Sequence, residues 1–464
     1  MNIAAQTSTA SGSTGEHSFF TGGMAALAGL MFGLDIGVIS GALGFIGTAF
    51  HASDAAKEWI VSSMMFGAAL GALAAGVLSF RLGRKVSLIL GAILFVIGSL
   101  LCAAAWSIES LIAARVILGL AIGIATFTAP LYISEISPPE KRGSMISTYQ
   151  LMITIGILAA FISDTLFSYI GAWRWMLGIV AVPGVLFLIG VTRLPNSPRW
   201  LLMRGKGREA REVLTQLRGN KQRVDAEYKE IEEQLRRPQV GWSLFRANSN
   251  FRRSVFLGIA LQIIQQLTGI NVVMYYAPRI FEAAGFHGHM QLWGTAIVGL
   301  VNVLATFIAI GFVDRWGRRP VLLSGFVVMV LGMGILGYVL NLGHLSVGMQ
   351  IFAVVMLLLF ITGFAMSAGP LIWVLCSEVQ PTKGRDFGIA ASTLTNWVAN
   401  FVVGLTFLSM LNSWGSGLTF GFYALLNALF FVFTIYFVPE TKGVTLEHIE
   451  ANLMAGKPLR NIGA

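Results

Sequence analysis

Charge is what this 464-residue chain has least of. Only 12% of its residues are Asp, Glu, Lys or Arg, against 55% hydrophobic, and the mean hydropathy is +0.74. A length that would otherwise be divided into two or three soluble domains therefore reads as a membrane protein. Cysteine is equally scarce. Cys102 and Cys376 both lie in apolar runs, where a small thiol simply packs, so no disulfide is expected. The first 18 residues hold no Lys or Arg and so lack the basic start of a secretory signal peptide; rich in Ser, Thr, Gly and Ala, they are expected to form a flexible tail. A G-x-x-x-x-G-K-[ST] phosphate loop is missing, which excludes ATP as the energy source. The six His form no metal-ligand pattern and no catalytic triad arrangement is visible, so neither an enzyme nor a metal or cofactor site is expected.

What the chain has in quantity is apolar runs. Twelve are long enough to cross about 30 Å of hydrocarbon at about 1.5 Å per helical residue. They fall at 19–46, 59–80, 86–106, 109–131, 144–167, 173–193, 252–277, 292–313, 320–342, 348–375, 387–410 and 416–438. The expected fold is an all-α membrane protein of twelve transmembrane helices. Basic loops stay cytoplasmic. Placing both termini inside leaves only Lys57, Arg174 and Arg279 of the 32 basic residues near outer loops, with Arg115 deep in a span. The net charge of +10 then follows from topology and needs no nucleic-acid partner. The absence of any Asn-x-Ser/Thr acceptor points to a bacterial inner membrane.

The longest polar interruption, 194–250, carries 12 basic and 7 acidic residues and separates six spans from six. The expected organisation is a cytoplasmic tail (1–18), an N-terminal six-helix bundle (19–193), a cytoplasmic linker (194–250), a C-terminal six-helix bundle (251–438) and a cytoplasmic C-terminal tail (439–464). Within the linker, 208–218 and 224–237 have helix-forming composition, with Ile231 and Leu235 at i,i+4. Short surface helices are expected there, the alternative being a solvated charged linker.

The halves repeat each other. Arg81-Leu82-Gly83-Arg84-Lys85 after the second span recurs as Arg315-Trp316-Gly317-Arg318-Arg319 after the eighth. Glu135, Pro138 and Arg142 after the fourth recur with identical spacing as Glu378, Pro381 and Arg385 after the tenth. Any cytoplasmic loop is basic, but two different patterns at matching places indicate two pseudo-symmetric bundles. Positive-inside anchoring accounts for the arginines and not for their Glu partners. Arg84, Glu135, Arg142, Asp314, Arg318, Glu378 and Arg385 are therefore expected to pair between the halves as a cytoplasmic latch. Such pairs near water are worth only about 0–1 kcal/mol each, which suits a contact that opens in every cycle.

One apolar run, LQIIQQLTGINVVMYY from Leu261 to Tyr276, is polar where it should not be. Gln262, Gln265, Gln266 and Gly269 fall at i, i+3, i+4 and i+7, so three amides share a helix face. Buried Gln residues can tie helices together. Three of them with Asn271, Tyr275 and Tyr276 around a Thr-Gly break read better as a face for a neutral polyhydroxylated ligand, because amides both donate and accept. Gly269 lets the helix loosen, freeing Asn271 to Tyr276 from the glutamine register.

Asp35, near the middle of the first span, costs about 2.5–3.5 kcal/mol on insertion scales. A structural salt bridge is one use for it and proton carriage the other. Running outward, Asp35 lies roughly 16 Å below the end of its span and Arg115 about 9 Å below the end of the fourth, a gap that an Arg side chain can close. Desolvation favours the neutral carboxyl and an adjacent guanidinium favours the ionised one. Separating the pair would make Asp35 take up a proton, so Asp35 and Arg115 are the expected proton-coupling residues.

In these residues the chain resembles the sugar porter family of the major facilitator superfamily, over 19–455. Pro195-Asn196-Ser197-Pro198-Arg199 looks like the family's signature after the sixth helix, and Pro439-Glu440-Thr441-Lys442-Gly443 like the one after the twelfth. Stretches such as LMFGLDIGVISGAL, VSSMMFGAA and MSAGPLIWVLCSE resemble its bacterial proton-coupled members. One departure is Phe80, where the first-half loop motif usually has Asp; Asp314 keeps it in the second half. That bears on the symmetry of the inner gate and not on the fold.

The resemblance implies two bundles rocking around a midplane sugar site. It implies sugar-binding roles for Gln150, Gln265, Gln266, Asn271, Asn302, Trp373, Asn396 and Trp397, amides gripping hydroxyls and Trp faces covering the C–H side of the ring. Trp373 alone could be an interfacial anchor, but it follows Gly369-Pro370, a helix-breaking pair. Tyr275 and Tyr276 match the family's outer gate; an aromatic belt is their other reading. Proton-coupled sugar porters tend to have Asp at the position of Asp35, and human facilitative glucose transporters Asn. The expected function is proton-coupled import of a monosaccharide, a hexose such as galactose or glucose, by a protein for which a monomer suffices. A passive facilitator, which needs no titrating carboxylate, and a non-transporting sugar receptor are the alternatives.

Overall fold

Within hydrocarbon a backbone has no water to bond, so each apolar run closes its hydrogen bonds internally as a helix. The computed structural model describes residues 7–138, 142–236, 241–343 and 345–464, with side chains from residue 23 onward except 25, 142–144, 146–147, 310 and 312–314. Among the described residues, 11 helical stretches are long and apolar enough to cross a membrane. The last, Thr382–Phe437, has 56 residues, about 84 Å if straight and far beyond one crossing. Its backbone leaves helical geometry at Gly415 (φ 77°, ψ 168°). Phe407 and Phe420 across that point have ring centroids 6.2 Å apart, where a straight helix would hold them about 20 Å apart. The stretch is therefore the eleventh and twelfth spans of a twelve-span, all-helical fold.

The spans keep to the apolar runs within a few residues. The first is Ala26–Phe50, followed by Asp54–Arg81, Arg84–Ala103, Ile108–Ile136, Arg142–Ser168 and Trp173–Thr192. In the second half come Ser249–Ala283, His289–Trp316, Arg318–Leu340 and Val347–Glu378, then the pair Arg385–Phe437. Two boundaries differ usefully. Helix begins at Thr7, so residues 7–18, expected in a flexible tail, continue the first helix, and no proline interrupts them. The second span starts at Asp54, with Ser53 capping it through Ala56 N–H at 3.2 Å, five residues before the apolar run begins.

Small residues let the helices close. A Cβ on Gly33 of span one would lie 1.9 Å from the Ile153 carbonyl oxygen of span five, and one on Gly119 of span four 2.0 Å from that of Met64 in span two. Only glycine permits these backbone approaches, the usual source of packing where lipid removes the hydrophobic drive. The linker forms four short helices, Pro198–Met203, Gly207–Arg218, Lys221–Leu235 and Gly241–Ala247. Its earlier helices dock on the first half, where Trp200 Nε1 donates to the Phe80 carbonyl at 2.9 Å and Arg218 Nη1 to that of Ile136 at 2.8 Å, while Gly241–Ala247 packs on the second, Phe245 meeting Phe387 with ring centroids 5.3 Å apart. A further helix, Leu446–Met454, follows the last span, and Asn250 Nδ2 donates to the Met454 carbonyl at 3.0 Å.

Polar contacts between the halves gather at the end of the bundle away from the linker. Asn412 Nδ2 of span eleven donates to Asp54 of span two at 2.6 Å. Ser168 of span five sits 3.0 Å from His289 Nδ1 of span eight, and Tyr169 stacks on the same imidazole at 4.1 Å.

Candidate functional site

Span seven breaks where the sequence places Gly269. That residue is left-handed (φ 94°, ψ 7°), dividing the span into Ser249–Leu267 and Ile270–Ala283. A Cβ there would meet Tyr423 Cδ1 at 2.9 Å, so conformation and space both require glycine. Span ten breaks at Ser367 (φ −132°, ψ −90°), two residues before the Gly369-Pro370 pair expected to do it. Side chains bond carbonyls beside both breaks. Asn427 Nδ2 donates to the Thr268 carbonyl at 3.0 Å, and Gln265 Nε2 to those of Ala368 and Gly369 at 3.2 and 2.9 Å.

Around these breaks the amides bond one another. Asn396 Nδ2 of span eleven donates to Gln262 Oε1 at 2.6 Å and Gln265 Oε1 at 2.9 Å; Gln266 Nε2 reaches Gln265 Oε1 at 3.5 Å, and Asn271 donates to Gln266. Gln262, on the amide face read from the spacing but outside the set that the resemblance implies, is thus part of the cluster. One turn beyond Asn396, Asn400 Nδ2 donates to the Tyr275 hydroxyl at 3.2 Å, and the Tyr276 hydroxyl donates to the Gly404 carbonyl at 2.8 Å. Both tyrosines are buried, so the end away from the linker is closed over the amides. Each amide pair is a donor meeting an acceptor, and a sugar hydroxyl, being both, can replace a link without leaving a buried group unpaired.

The other expected binding residues make no side-chain hydrogen bond to this cluster among the described residues. Asn302 is buried on span eight, which crosses span five where a Cβ on Gly299 would come 3.1 Å from Leu158 Cα. Gln150 is half-buried on span five, toward the linker side of that crossing. Trp373 is exposed beyond the span-ten break, whereas Trp397 is buried and meets Phe32 of span one edge-on, with centroids 5.4 Å apart.

Asp35 and Arg115 form an ion pair of 2.8 Å with neither side chain exposed at all. Arg115 Nε also donates to the Ile60 carbonyl at 3.0 Å, tying spans one, two and four. Asp35 Oδ2 and Arg115 Nη2 have no hydrogen-bond partner among the described residues. The two charges offset each other out of contact with solvent, an arrangement held by mutual attraction.

The latch residues pair inside the halves, which corrects the expectation of pairing between them. Arg84 donates to both oxygens of Glu135 at 2.9 and 2.7 Å, and Ser197 Oγ donates to the same carboxylate at 2.5 Å. In the second half Arg318 Nη2 donates to Glu378 at 3.3 Å and Thr441 Oγ1 at 2.5 Å. Each glutamate thus joins the helix after the basic loop to the signature segment after its own bundle, and those donors satisfy it locally. Arg385 Nη2 donates to the Gln380 carbonyl at 3.4 Å, again within its half. The side chains of Arg142 and Asp314 lie outside the described residues.

Two buried carboxyls escaped the sequence reading. Glu58, 2% exposed, lies one residue before the apolar run that starts at 59; the Ser-Asp pair at 53–54 is the sequence signal for the earlier helix start. Asp164 on span five, 1% exposed, accepts the Gly41 N–H at 3.2 Å and has its other oxygen unpartnered.

Comparison with known proteins adds the family. The model for "Sugar (and other) transporter" matches residues 22–453. The chain is 62% identical to the galactose-proton symporter of Escherichia coli strain K12 over 448 residues, 96% of this chain and 97% of that protein. It is 55% identical to the arabinose-proton symporter of the same strain over 461 residues, 97% and 96% of the two chains. Among solved structures it is similar to the xylose transporter of E. coli in a partially occluded inward open conformation, with TM-score 0.81 and 30% identity over 93% of this chain and 100% of that one. With the paired loop motifs, the two signature segments and the twelve-span fold, these matches make the chain a multi-pass membrane protein of the sugar transporter family within the major facilitator superfamily.

Proposed function

We propose that the protein is a proton-coupled symporter that imports a hexose, galactose or glucose, across a bacterial inner membrane, with both termini and the linker in the cytoplasm and a monomer as the working unit. The observation that carries the coupling is the Asp35–Arg115 pair: a carboxylate and a guanidinium at 2.8 Å, fully buried in the half-bundle that meets the amide cluster. A passive carrier has no use for that charge at mid-span. The galactose-proton relative at 62% identity supports the substrate class. Asp35 loads a proton when helix movement draws Arg115 away, and gives it up when the pair reforms, so sugar and proton move on the same rocking step.

The experiment is Asp35→Asn in right-side-out vesicles. Binding of galactose or glucose is retained, while accumulation against a gradient and sugar-driven proton uptake are abolished. A variant that still concentrates sugar under an imposed proton gradient would remove Asp35 from coupling. Competition by pentoses alone would overturn the hexose assignment.

A further inference from the structure

At the outer end, one contact between the halves is built from a buried carboxylate. Glu58 of span two places both oxygens on one residue of span eleven: Ser409 N–H donates to Oε1 at 2.7 Å and Ser409 Oγ to Oε2 at 2.7 Å. We infer that Glu58 and Ser409 form the outer latch of the transport cycle, the contact that holds the periplasmic end shut and must break before sugar can enter. This rests on the proposed transport function for its orientation and its purpose, and on the geometry alone for the latch itself.

Three observations carry it. Glu58 and Ser409 belong to different halves, so rocking the bundles apart at this end separates them, unlike the Arg84–Glu135 and Arg318–Glu378 pairs, which travel with their own half. The charge has been taken out of water with hydroxyl and amide donors facing it and no cation bonded to it among the described residues. On its own helix, Asp54 is engaged by Lys57 at 3.1 Å and by Asn412; on span seven, Arg279 is engaged by Glu282 at 2.5 Å. A carboxylate so placed is held by Ser409 or is not held, which makes the contact two-state.

Span eleven also connects this latch to the tyrosines. Tyr276 donates to the Gly404 carbonyl and packs on Phe407 at 5.2 Å between centroids, and a Cβ on Gly404 would lie 2.9 Å from Ser62 Oγ of span two. The same few turns of span eleven thus receive the gate tyrosine from their own half and Glu58 from the other. Glu58 positions the gate; it does not touch the sugar site.

The test reads gate opening directly. Met65, fully buried beside Gly404, is replaced by Cys in a background where Cys102 and Cys376 are Ala, and labelling by a membrane-impermeant maleimide is timed in right-side-out vesicles. Glu58→Ala is expected to speed labelling roughly tenfold, and Ser409→Ala, a loss of one hydroxyl that spares the fold, roughly fivefold. Glu58→Gln can still accept the N–H through Oε1 and donate its NH2 to the hydroxyl, so it stays within about twofold of the parent. Unchanged labelling in Ser409→Ala, or Glu58→Gln opening as far as Glu58→Ala, would overturn the latch. Labelling needs neither sugar nor a proton gradient. Parallel galactose uptake by the parent separates the two ideas: labelling shifts without any uptake sink the transport reading and leave the latch standing.

Discussion

Phe32 of span one meets Trp397 of span eleven edge-on, with ring centroids 5.4 Å apart and planes at 65°. Asp35 follows Phe32 by three residues, just under one turn, and Asn396, which binds Gln262 and Gln265, precedes Trp397. The aromatic pair is therefore the short path across the halves from the carboxyl to the amides. An edge-to-face pair contributes about 0.5–1.5 kcal/mol beyond its buried area. Phe32→Ala should weaken sugar binding roughly 2-fold to 12-fold and lower the sugar accumulated per proton. Sugar binding and sugar-driven alkalinisation on the same vesicles check it; unchanged affinity with an unchanged ratio would cut the link.

Gln265 does two things at once, accepting from Asn396 and donating to two carbonyls at the span-ten break, and under the proposed function it exchanges such links for sugar hydroxyls. Gln265→Ala should cost about 1–3 kcal/mol of sugar binding, or roughly 5-fold to 150-fold in dissociation constant. Equilibrium binding on purified protein measures it. Normal affinity in a well-folded variant would place Gln265 outside the ligand contacts and leave it as a tie between spans seven and ten.

The spans were legible because hydrocarbon thickness fixes run length, and the Gly269 break because a Thr-Gly step among amides has few other uses. The approach of Arg115 to Asp35 was legible too, since depth along a helix is simple arithmetic. Pairing was not. Spacing says that Arg84 and Glu135 recur as Arg318 and Glu378, but a repeat by itself does not say whether a glutamate closes on its own half or the other. Nor did the pattern of glutamines show that Asn396 would bridge two of them, because that depends on how span eleven crosses span seven. Glu58 sits at a boundary, where a polar first turn looks like loop.

Pairing within the halves has a consequence for stability. The side chains of Arg84 and Glu135 are 8% and 5% exposed and doubly bonded, whereas Arg318 and Glu378 are 15% and 20% exposed at 3.3 Å. Glu135→Ala leaves Arg84 with the Ser79 carbonyl at 3.1 Å and should destabilise the fold by about 1–3 kcal/mol. Glu378→Ala should cost less. Thermal unfolding midpoints in detergent rank the two; equal midpoints, or the reverse order, would mean that these carboxylates act between the halves after all.

Asp35 and Asp164, both buried in the first half, differ in what surrounds them. Asp35 has a guanidinium at 2.8 Å and a reason to be charged; Asp164 has one backbone N–H, from Gly41 at 3.2 Å, and an oxygen with no partner. Span one passes so close that a Cβ on Gly41 would lie 2.4 Å from that of Asp164, so the side chain cannot swing toward water without parting spans one and five. Both spans belong to the same half, and rocking does not part them. Among the described residues no cation or second donor bonds Asp164, and an amide of the same shape accepts the Gly41 N–H equally well. Asp164→Asn should therefore keep sugar accumulation within about twofold of the parent and keep its unfolding midpoint, where Asp35→Asn loses accumulation altogether. Uptake under an imposed proton gradient decides it. An Asp164→Asn protein that binds sugar normally yet cannot concentrate it would make this carboxyl a second proton site and end the assignment of coupling to Asp35 alone.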